Sequence, residues 1–402
     1  MRTGTTLWAG LTWLACGVAV CSAPAPPPQL RHQAYIWQRH WTPALHKAIT
    51  ASAPVLDGWR VLAGEWQSGQ IKPIAFDPAP LQGKPVIAVF RINGHLALDA
   101  SLPAAIRQTL DNWRAAGLEP AGVEIDHDCP VSQLAAYHRF LHNLRPAIAP
   151  LPLSITALPA WLGHKELPKL SKTVESVVLQ VHAVMNPSRG LFQANQARDW
   201  IERWSQSTQT PFHVALPNYG SRVTWNPAGV LTAIESETPR YGHQPGESTR
   251  ELYVAPQAVE PLLTWLRRSP PAGFVGIVWF RLPTAEDRRA WSLASWHAVI
   301  AGRPLTPQLT TEITVPAGAG ARDIWLHNTG TIDAELPAAV DLPAQPTDLA
   351  DALNGYTLER RNQALHFRLT QPNLLRAGQR QMIGWFTPIQ PRTLVREPDT
   401  TR

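Results

Sequence analysis

Eight short apolar runs alternate with amphipathic segments over most of this chain, and that alternation constrains the fold more than any other feature. The runs cover residues 33–38, 58–65, 85–92, 122–128, 153–158, 176–183, 212–217 and 273–282. Helical patterns lie between them at residues 43–53, 102–116, 132–147, 166–171, 193–205, 256–268 and 284–300. Apolar runs separated by amphipathic helices are typical of βα units in a parallel sheet.

The number of runs predicts an α/β fold, a (β/α)8 TIM-like barrel over residues 26–304. Eight strands and seven or eight helices in roughly 270 residues match the size of that barrel. Residues 67–84 contain three prolines and no helical period, so we expect a loop or an extended strand there. An open doubly wound sheet is the alternative, but no Gly-rich nucleotide turn follows the first run.

The last quarter of the chain has a different pattern, in which alternating residues are separated by turns. Residues 311–315, 323–327, 356–359, 364–369 and 381–386 are the candidate strands. This pattern predicts a small C-terminal antiparallel β-sandwich over residues 305–395, followed by a polar tail at 396–402.

Residues 1–25 are interpreted as a targeting segment, with Arg2 before an apolar stretch and small residues at its end. We therefore expect an exported protein, either periplasmic or membrane-anchored. A lipoprotein-type signal at Cys16 and an uncleaved N-terminal anchor are the alternatives. Cys16 and Cys21 both belong to this segment, which leaves Cys129 as the single cysteine of the folded part and excludes an intramolecular disulfide there.

The charge of the chain gives no reason to expect a nucleic-acid partner. The formal net charge is +6, but the sequence has no dense Lys/Arg run or basic helix of the kind that follows a phosphate backbone.

Three acids alternate at the end of the fourth run: Glu124, Asp126 and Asp128. A period of two places them on one face of a strand, and active sites of such barrels lie at the carboxyl ends of the strands. We predict Asp126 and Asp128 as catalytic residues, since like-charge repulsion can keep one carboxyl protonated. Glu124 is deeper, where a structural role is favoured over substrate binding. Arg91 is a ready partner for these acids.

Other polar and aromatic side chains at strand ends suit a polyhydroxylated ligand, because aromatic faces stack on sugar rings and polar groups bind hydroxyls. A metal site formed by Asp126, Asp128 and His182 lacks tight ligand spacing, so we expect neither a metal nor a cofactor. The candidate substrate-binding residues are Arg91, Glu124, Trp37, Glu65, Gln180, His182, Asn218, Tyr219 and Trp279.

Four segments at the predicted strand ends are distinctive: Gly122-Val-Glu-Ile-Asp-His-Asp-Cys-Pro130, Leu179-Gln-Val-His182, Ala215-Leu-Pro-Asn-Tyr-Gly220 and Gly276-Ile-Val-Trp-Phe-Arg-Leu-Pro283. With these segments the chain resembles, over most of residues 30–390, a bacterial family of exported proteins with a domain of unknown function. At the strand ends the chain also resembles, more distantly, the chitinase-like glycoside hydrolases of family eighteen.

The chitinase resemblance implies roles for particular residues. Asp126 matches the acid that steers the substrate, Trp279 matches the tryptophan that floors the sugar site, and residues 216–220 resemble a Pro-x-Tyr-Gly element. Asp128 stands where that family has the general-acid Glu, which is a departure from the pattern.

We therefore expect a glycoside hydrolase-like protein that acts on an envelope or exported polysaccharide, with Asp128 as the general acid. Two alternatives remain open: a non-catalytic carbohydrate-binding barrel, and an envelope assembly protein that docks through its C-terminal sandwich.

Overall fold

The computed structural model describes residues 29–94, 101–182, 190–235, 242, 244–316 and 320–389, so the predicted targeting segment (1–25) and polar tail (396–402) lie outside the described residues. The helices are α1 (Pro43–Ser52), α2 (Ser101–Ala115), α3 (Leu134–Ile148), α4 (Leu167–Ser171), α5 (Ala194–Ser207), α6 (Pro256–Arg268) and α7 (Leu293–Ile300). The strands up to the last helix are β1 (His32–Ile36), β2 (Gly58–Gln67), β3 (Gln70–Pro73), β4 (Val86–Ile92), β5 (Gly122–Asp126), β6 (Leu153–Ala157), β7 (Ser176–Gln180), β8 (Phe212–Pro217), β9 (Gly220–Trp225), β10 (Leu231–Glu235), β11 (Ser248–Tyr253) and β12 (Phe274–Phe280). The strands after it are β13 (Leu309–Thr314), β14 (Arg322–Asn328), β15 (Ala334–Glu335), β16 (Ala339–Leu342), β17 (Thr347–Ala352), β18 (Tyr356–Arg361), β19 (Ala364–Leu369), β20 (Leu374–Leu375) and β21 (Arg380–Pro388).

Eight parallel strands close into a barrel, which confirms the predicted fold class. Their order is β1, β2, β4, β5, β6, β7, β8 and β12, and β1 pairs in parallel with both β2 and β12 to complete the ring. The carboxyl ends of all eight strands therefore meet at one end of the barrel, where the functional residues of such folds lie.

The barrel wall buries both of its faces. All residues of β5 and β6 are buried, as expected for parallel strands covered by helices. The inward face carries a small cluster that includes Tyr35, Trp37, Val178 and Val278, whereas the outward face joins the larger core under the helices. No helix in the described part of the chain is both long enough and apolar enough to cross a bilayer.

As predicted, residues 67–84 form no α-helix, and β3 in this link pairs antiparallel with β2. The other links between strands follow the predicted pattern with two exceptions. The helix predicted at 284–300 begins only at Leu293, because Ser292 caps it by accepting a hydrogen bond from the Ser295 backbone N–H at 3.1 Å. The second exception is an insertion after β8, the antiparallel sheet β10-β9-β11, which the sequence pattern did not predict.

Antiparallel sheets make up the C-terminal region. A four-stranded sheet has the order β13-β14-β21-β17 and a three-stranded sheet the order β16-β19-β18. Side chains of both sheets, among them Ile324 and Ile383 from the first and Leu365 and Phe367 from the second, share one core. This arrangement agrees with the two packed antiparallel layers expected from the sequence.

Candidate functional site

A cavity of about 460 Å³ opens at the carboxyl ends of the barrel strands. Charged, amide and aromatic side chains share its wall, which is the composition of a site for a polar ligand with apolar faces. The lining residues are Tyr35, Trp37, Arg39, Glu65, Arg91, Asn93, Asp126, Asp128, Thr156, Gln180, His182, Ala215, Tyr219, Ile234 and Phe280. Eight of the predicted site residues are brought together here: Trp37, Glu65, Arg91, Asp126, Asp128, Gln180, His182 and Tyr219.

The two acids predicted as catalytic share one arginine. Arg91 on β4 donates from Nη1 to Asp126 Oδ2 at 2.7 Å and from Nη2 to Asp128 Oδ2 at 2.6 Å. The Asp126 side chain is 8% exposed, whereas that of Asp128, beyond the end of β5, is 51% exposed. Asp128 is therefore the carboxylate that reaches into the open cavity, and Asp126 lies beneath it.

Burial and charge act on this triad in opposite directions. Burial raises the pKa of Asp126 above its ordinary value, the positive charge of Arg91 opposes that rise, and the neighbouring Asp128 adds to it. For Arg91, burial lowers the pKa, but Asp126 and Asp128 outweigh burial and the net pKa is raised. The guanidinium is thus permanently charged and forms an ion pair with both acids.

Glu124 lies below the cavity in the barrel interior and does not line it. It is fully buried and forms an ion pair with the buried Arg60. Tyr35 donates its hydroxyl to Glu124 Oε1, and Thr156 donates to the same oxygen at 3.2 Å. Because its oxygens are bound by these neighbours, Glu124 has a structural role, and the prediction that it also binds substrate is wrong.

Aromatic rings form one wall of the cavity around Phe280. Its ring centroid lies 5.3 Å from that of Trp37, 5.7 Å from Tyr35, 5.6 Å from Tyr219 and 5.8 Å from His182. The contacts with Trp37, Tyr35 and Tyr219 are edge-to-face, a favourable geometry that holds the rings in fixed orientations. Phe280 is thus the central aromatic residue of the site.

Trp279 does not occupy the place that its motif suggested. It is fully buried, its Nε1 donates to His32 Nδ1 at 3.1 Å, and its ring packs near Trp291 and Trp296. On β12 the side chain of Phe280 faces the cavity, so that of Trp279 faces the helices. The interpretation of Trp279 as the floor of a sugar site is therefore wrong.

Asn218 also lies outside the cavity lining. Its side chain is fully buried, and neither of its amide atoms has a hydrogen-bond partner among the residues that the structure describes. Its backbone N–H donates to the Phe280 carbonyl at 3.3 Å, and its carbonyl accepts from Trp291 at 2.9 Å. These two backbone hydrogen bonds hold Asn218 in the barrel wall behind the cavity. The prediction that Asn218 contacts substrate is therefore wrong.

The remaining polar residues of the cavity differ in what they can offer a ligand. Both oxygens of Glu65 accept from Arg39, at 2.7 and 2.9 Å, and these hydrogen bonds lower its pKa. Burial lowers the pKa of His182 to about 3, so its ring is neutral near pH 7. Its Nε2 has no hydrogen-bond partner within the described ranges, and Tyr219 Oη lies 3.5 Å from Nδ1.

Seven lining residues are not among the candidate site residues predicted above: Tyr35, Arg39, Asn93, Thr156, Ala215, Ile234 and Phe280. Tyr35 and Arg39 flank Trp37 at a spacing of two, which is the signal that could have found them. Ile234 lies on β10, and no signal pointed to it because the insertion itself was not predicted.

The described residues contain no group of three or more His, Cys, Asp or Glu side chains arranged to hold a metal ion. The chemistry that these side chains can perform by themselves is hydrogen bonding, aromatic stacking and proton transfer through Asp126 and Asp128.

Two of the solved structures that share this fold are named spore cortex-lytic enzymes. The spore cortex-lytic enzyme SleL of Bacillus cereus matches with a TM-score of 0.52 and 14% identity, over 70% of this chain and 76% of that one. SleL of Bacillus megaterium QM B1551 matches with a TM-score of 0.52 and 13% identity, over 71% and 76%. A chitinase of Chromobacterium violaceum ATCC 12472 has a TM-score of 0.45 and 13% identity, over 64% and 96%.

The fold and the cavity together define a (β/α)8 barrel with an acid-lined cavity at the carboxyl ends of its strands. Within that class, the chain belongs to the family described as Domain of unknown function (DUF3142), which matches residues 82–285, just over half of the sequence. Residues 311–387 match a second Domain of unknown function (DUF8456). The resemblance to a family with a domain of unknown function is thereby confirmed. No curated protein sequence matches the chain.

Proposed function

We propose that this protein binds a polysaccharide segment in the barrel cavity and hydrolyses a glycosidic bond, with Asp128 as the proton donor. The observation that carries the proposal is the position of Asp128. Its half-exposed carboxylate enters a cavity of about 460 Å³ from the end of β5, beside the second carboxylate, Asp126. Glycoside hydrolysis commonly uses two carboxyl groups beside the scissile bond.

The other cavity residues have the chemistry that a sugar requires. Trp37 and Phe280 offer apolar ring faces, and Gln180 and Tyr219 offer hydrogen-bonding groups next to them. Asp126, which is nearly buried, would orient the sugar through the oxygen that Arg91 does not bind. The ring faces would bind the sugar, and the acids would act on its bond.

Proton donation requires a change at Arg91. Asp128 Oδ2 accepts a hydrogen bond from Arg91 Nη2 at 2.6 Å, so this oxygen can approach a glycosidic oxygen only when Arg91 is drawn away from it. Asp126 gives Arg91 a second anchor at 2.7 Å, and a glycan that engages Asp128 would leave the guanidinium on Asp126 alone.

The proposed substrate is an envelope or exported polysaccharide. Two features support this choice: the signal-like composition of residues 1–25, and the shared fold with two proteins named spore cortex-lytic enzymes.

A second candidate function is glycan binding without hydrolysis. Arg91 pairs with Oδ2 of both acids at 2.6–2.7 Å, and each acid keeps a second oxygen that can accept a hydrogen bond from a sugar hydroxyl. The same aromatic and amide wall would serve a binding protein equally well.

The test is the release of reducing ends from a panel of bacterial polysaccharides by wild type, Asp128→Asn and the matched surface variant Asp111→Asn. We expect turnover by wild type and Asp111→Asn, and a loss of roughly a hundredfold or more in Asp128→Asn, the range for a general acid. Equal turnover by wild type and Asp128→Asn would reject Asp128 as the acid. Glycan affinity without turnover in wild type would establish the second candidate.

A further inference from the structure

The cavity lining has an excess of negative charge. Three carboxylates, Glu65, Asp126 and Asp128, face two guanidinium groups, Arg39 and Arg91. The one imidazole of the lining, His182, contributes no positive charge near pH 7. A ligand in this cavity therefore meets one net negative charge in surroundings that are partly shielded from water, where charge interactions are stronger than on an open surface.

Both arginines already bind carboxylates of the protein. Arg39 donates from Nε and Nη2 to the two oxygens of Glu65. Arg91 donates from Nη1 and Nη2 to Asp126 and Asp128, and from Nε to Asn93 Oδ1 at 3.3 Å. An anionic sugar would have to displace these internal partners, so the two guanidinium groups do not form an anion site.

Hydrogen-bond acceptors, by contrast, remain available in the cavity. Only Oδ2 of each aspartate accepts from Arg91, and Oδ1 of Asp126 and of Asp128 has no partner among the residues described here. Both aspartates line the cavity, and its described lining holds no cation other than Arg39 and Arg91.

His182 is an independent sign of a ligand at the same place. The residue is 3% exposed, lines the cavity, and leaves Nε2 without a partner in the described part of the chain. A buried polar atom without a partner is costly unless a ligand satisfies it. When Nδ1 carries the ring proton towards Tyr219 Oη, Nε2 becomes an acceptor.

Resting on the function proposed above, we propose that the glycan bound here carries an ammonium group, that is, a de-N-acetylated amino sugar rather than a neutral or a uronic-acid glycan. An ammonium group has three donors and no acceptor. Asp126 Oδ1 and His182 Nε2 supply acceptors for it, and the net negative charge of the unliganded cavity lining attracts its positive charge. A carboxylate-bearing sugar would meet the same acceptors with the wrong charge.

The test is calorimetric titration, at mildly acidic pH and low ionic strength, with three oligosaccharides of equal length: glucosamine, N-acetylglucosamine and galacturonate oligomers. We expect the glucosamine oligomer to bind roughly tenfold tighter or more than the N-acetylglucosamine oligomer, which corresponds to about 1.4 kcal/mol. The galacturonate oligomer should bind most weakly. Raising the salt concentration should reduce the difference in affinity between the glucosamine and N-acetylglucosamine oligomers, because salt screens charges.

Two variants change the charge of the cavity in opposite directions. Asp128→Asn removes the excess negative charge and should reduce the preference for the glucosamine oligomer to about one. Arg39→Gln adds to the excess and should widen that preference. Asp111→Asn removes the same charge from the exposed surface of α2, where the side chain is 54% exposed, and should leave the preference as in wild type.

The outcomes separate this inference from the function on which it rests. Equal affinity for the glucosamine and N-acetylglucosamine oligomers would overturn the inference and leave glycan binding in place. Tighter binding of the galacturonate oligomer would also overturn it. If none of the three oligomers binds, the proposed function falls together with the inference.

Discussion

Trp279 and Phe280 are neighbours on β12 whose side chains lie on opposite sides of the barrel wall. Trp279 packs among the helices, and its Nε1 donates to His32. Phe280 joins Trp37, Tyr35 and Tyr219 at the cavity. We therefore expect Trp279 to contribute to the stability of the fold and Phe280 to the binding of a ligand.

Substitution of these two residues tests that separation. Phe280→Leu keeps an apolar side chain but removes the ring face, so affinity for the glucosamine oligomer should fall roughly tenfold. Trp279→Phe loses volume and a buried hydrogen bond, which should lower the free energy of unfolding by about 1–3 kcal/mol. Its affinity for the oligomer should equal that of wild type. Titration and urea unfolding of both variants measure these effects, and the reverse pattern would show that Trp279 is the sugar-contacting ring.

At the scale of elements, Asp333 connects the C-terminal region to the barrel. Its carboxylate accepts from the Ser292 backbone N–H at 2.9 Å and from Ser292 Oγ at 2.6 Å, at the start of α7. It also accepts from the Ala377 backbone N–H at 2.9 Å and pairs with Arg376 at 3.0 Å. Burial raises the pKa of Asp333, but these donors outweigh burial and the net pKa is lowered.

Arg376 completes the connection by donating to backbone carbonyls of the barrel, those of Ala290 at 2.7 Å and Asp287 at 2.8 Å. One buried carboxylate and one arginine thus fix the segment before α7 against the turns that follow β14 and β20.

Asp333→Asn should be strongly destabilising, because an amide loses the ion pair and presents a donor where Asp333 presents only acceptors. We expect the free energy of unfolding to fall by about 2–4 kcal/mol, measured by urea denaturation near neutral pH. Asp348→Asn, an exposed residue on β17, is the matched control and should change stability little. A variant Asp333→Asn as stable as Asp348→Asn would contradict the proposed connection.

The pH dependence of stability belongs to the whole molecule, since it is set by buried histidines from distant parts of the chain. Burial lowers the pKa of His32 to about 4 and those of His182 and His213 to about 3. The unfolded chain takes up these protons near the ordinary histidine value of 6.5, whereas the folded chain does not. Stability is therefore present above that value and is lost as the pH falls below it.

We expect the free energy of unfolding to fall as the pH is lowered from about 6.5 to about 4.5, with each buried histidine contributing on the order of 1.4 kcal/mol per pH unit. Urea titrations at several pH values measure the slope. His213→Gln should flatten it, whereas His142→Gln, an exposed position on α3, should not. Identical slopes for wild type and His213→Gln would show that His213 is not neutral in the folded protein.

The sequence by itself determined the number of barrel strands, their order along the chain and the place of the acids. Each of these follows from a local pattern: apolar runs between helical periods, and Glu124, Asp126 and Asp128 at a spacing of two. Trp37, Gln180 and His182 were found in the same way, from strand ends that the barrel brings to one side.

Only the tertiary structure decided which face of β12 meets the cavity and how the acids are paired. Phe274–Phe280 is apolar throughout apart from Gly276, so no alternation of polar and apolar residues distinguishes the inside from the outside, as is usual for a strand buried on both faces. Ile234 lines the cavity from the inserted sheet β10-β9-β11, and the sequence of that insertion has no strong local pattern that predicts its strands. The bridge from Arg91 to both aspartates, and the burial that raises the pKa of Asp126, depend on neighbouring strands whose contact is created by closure of the barrel.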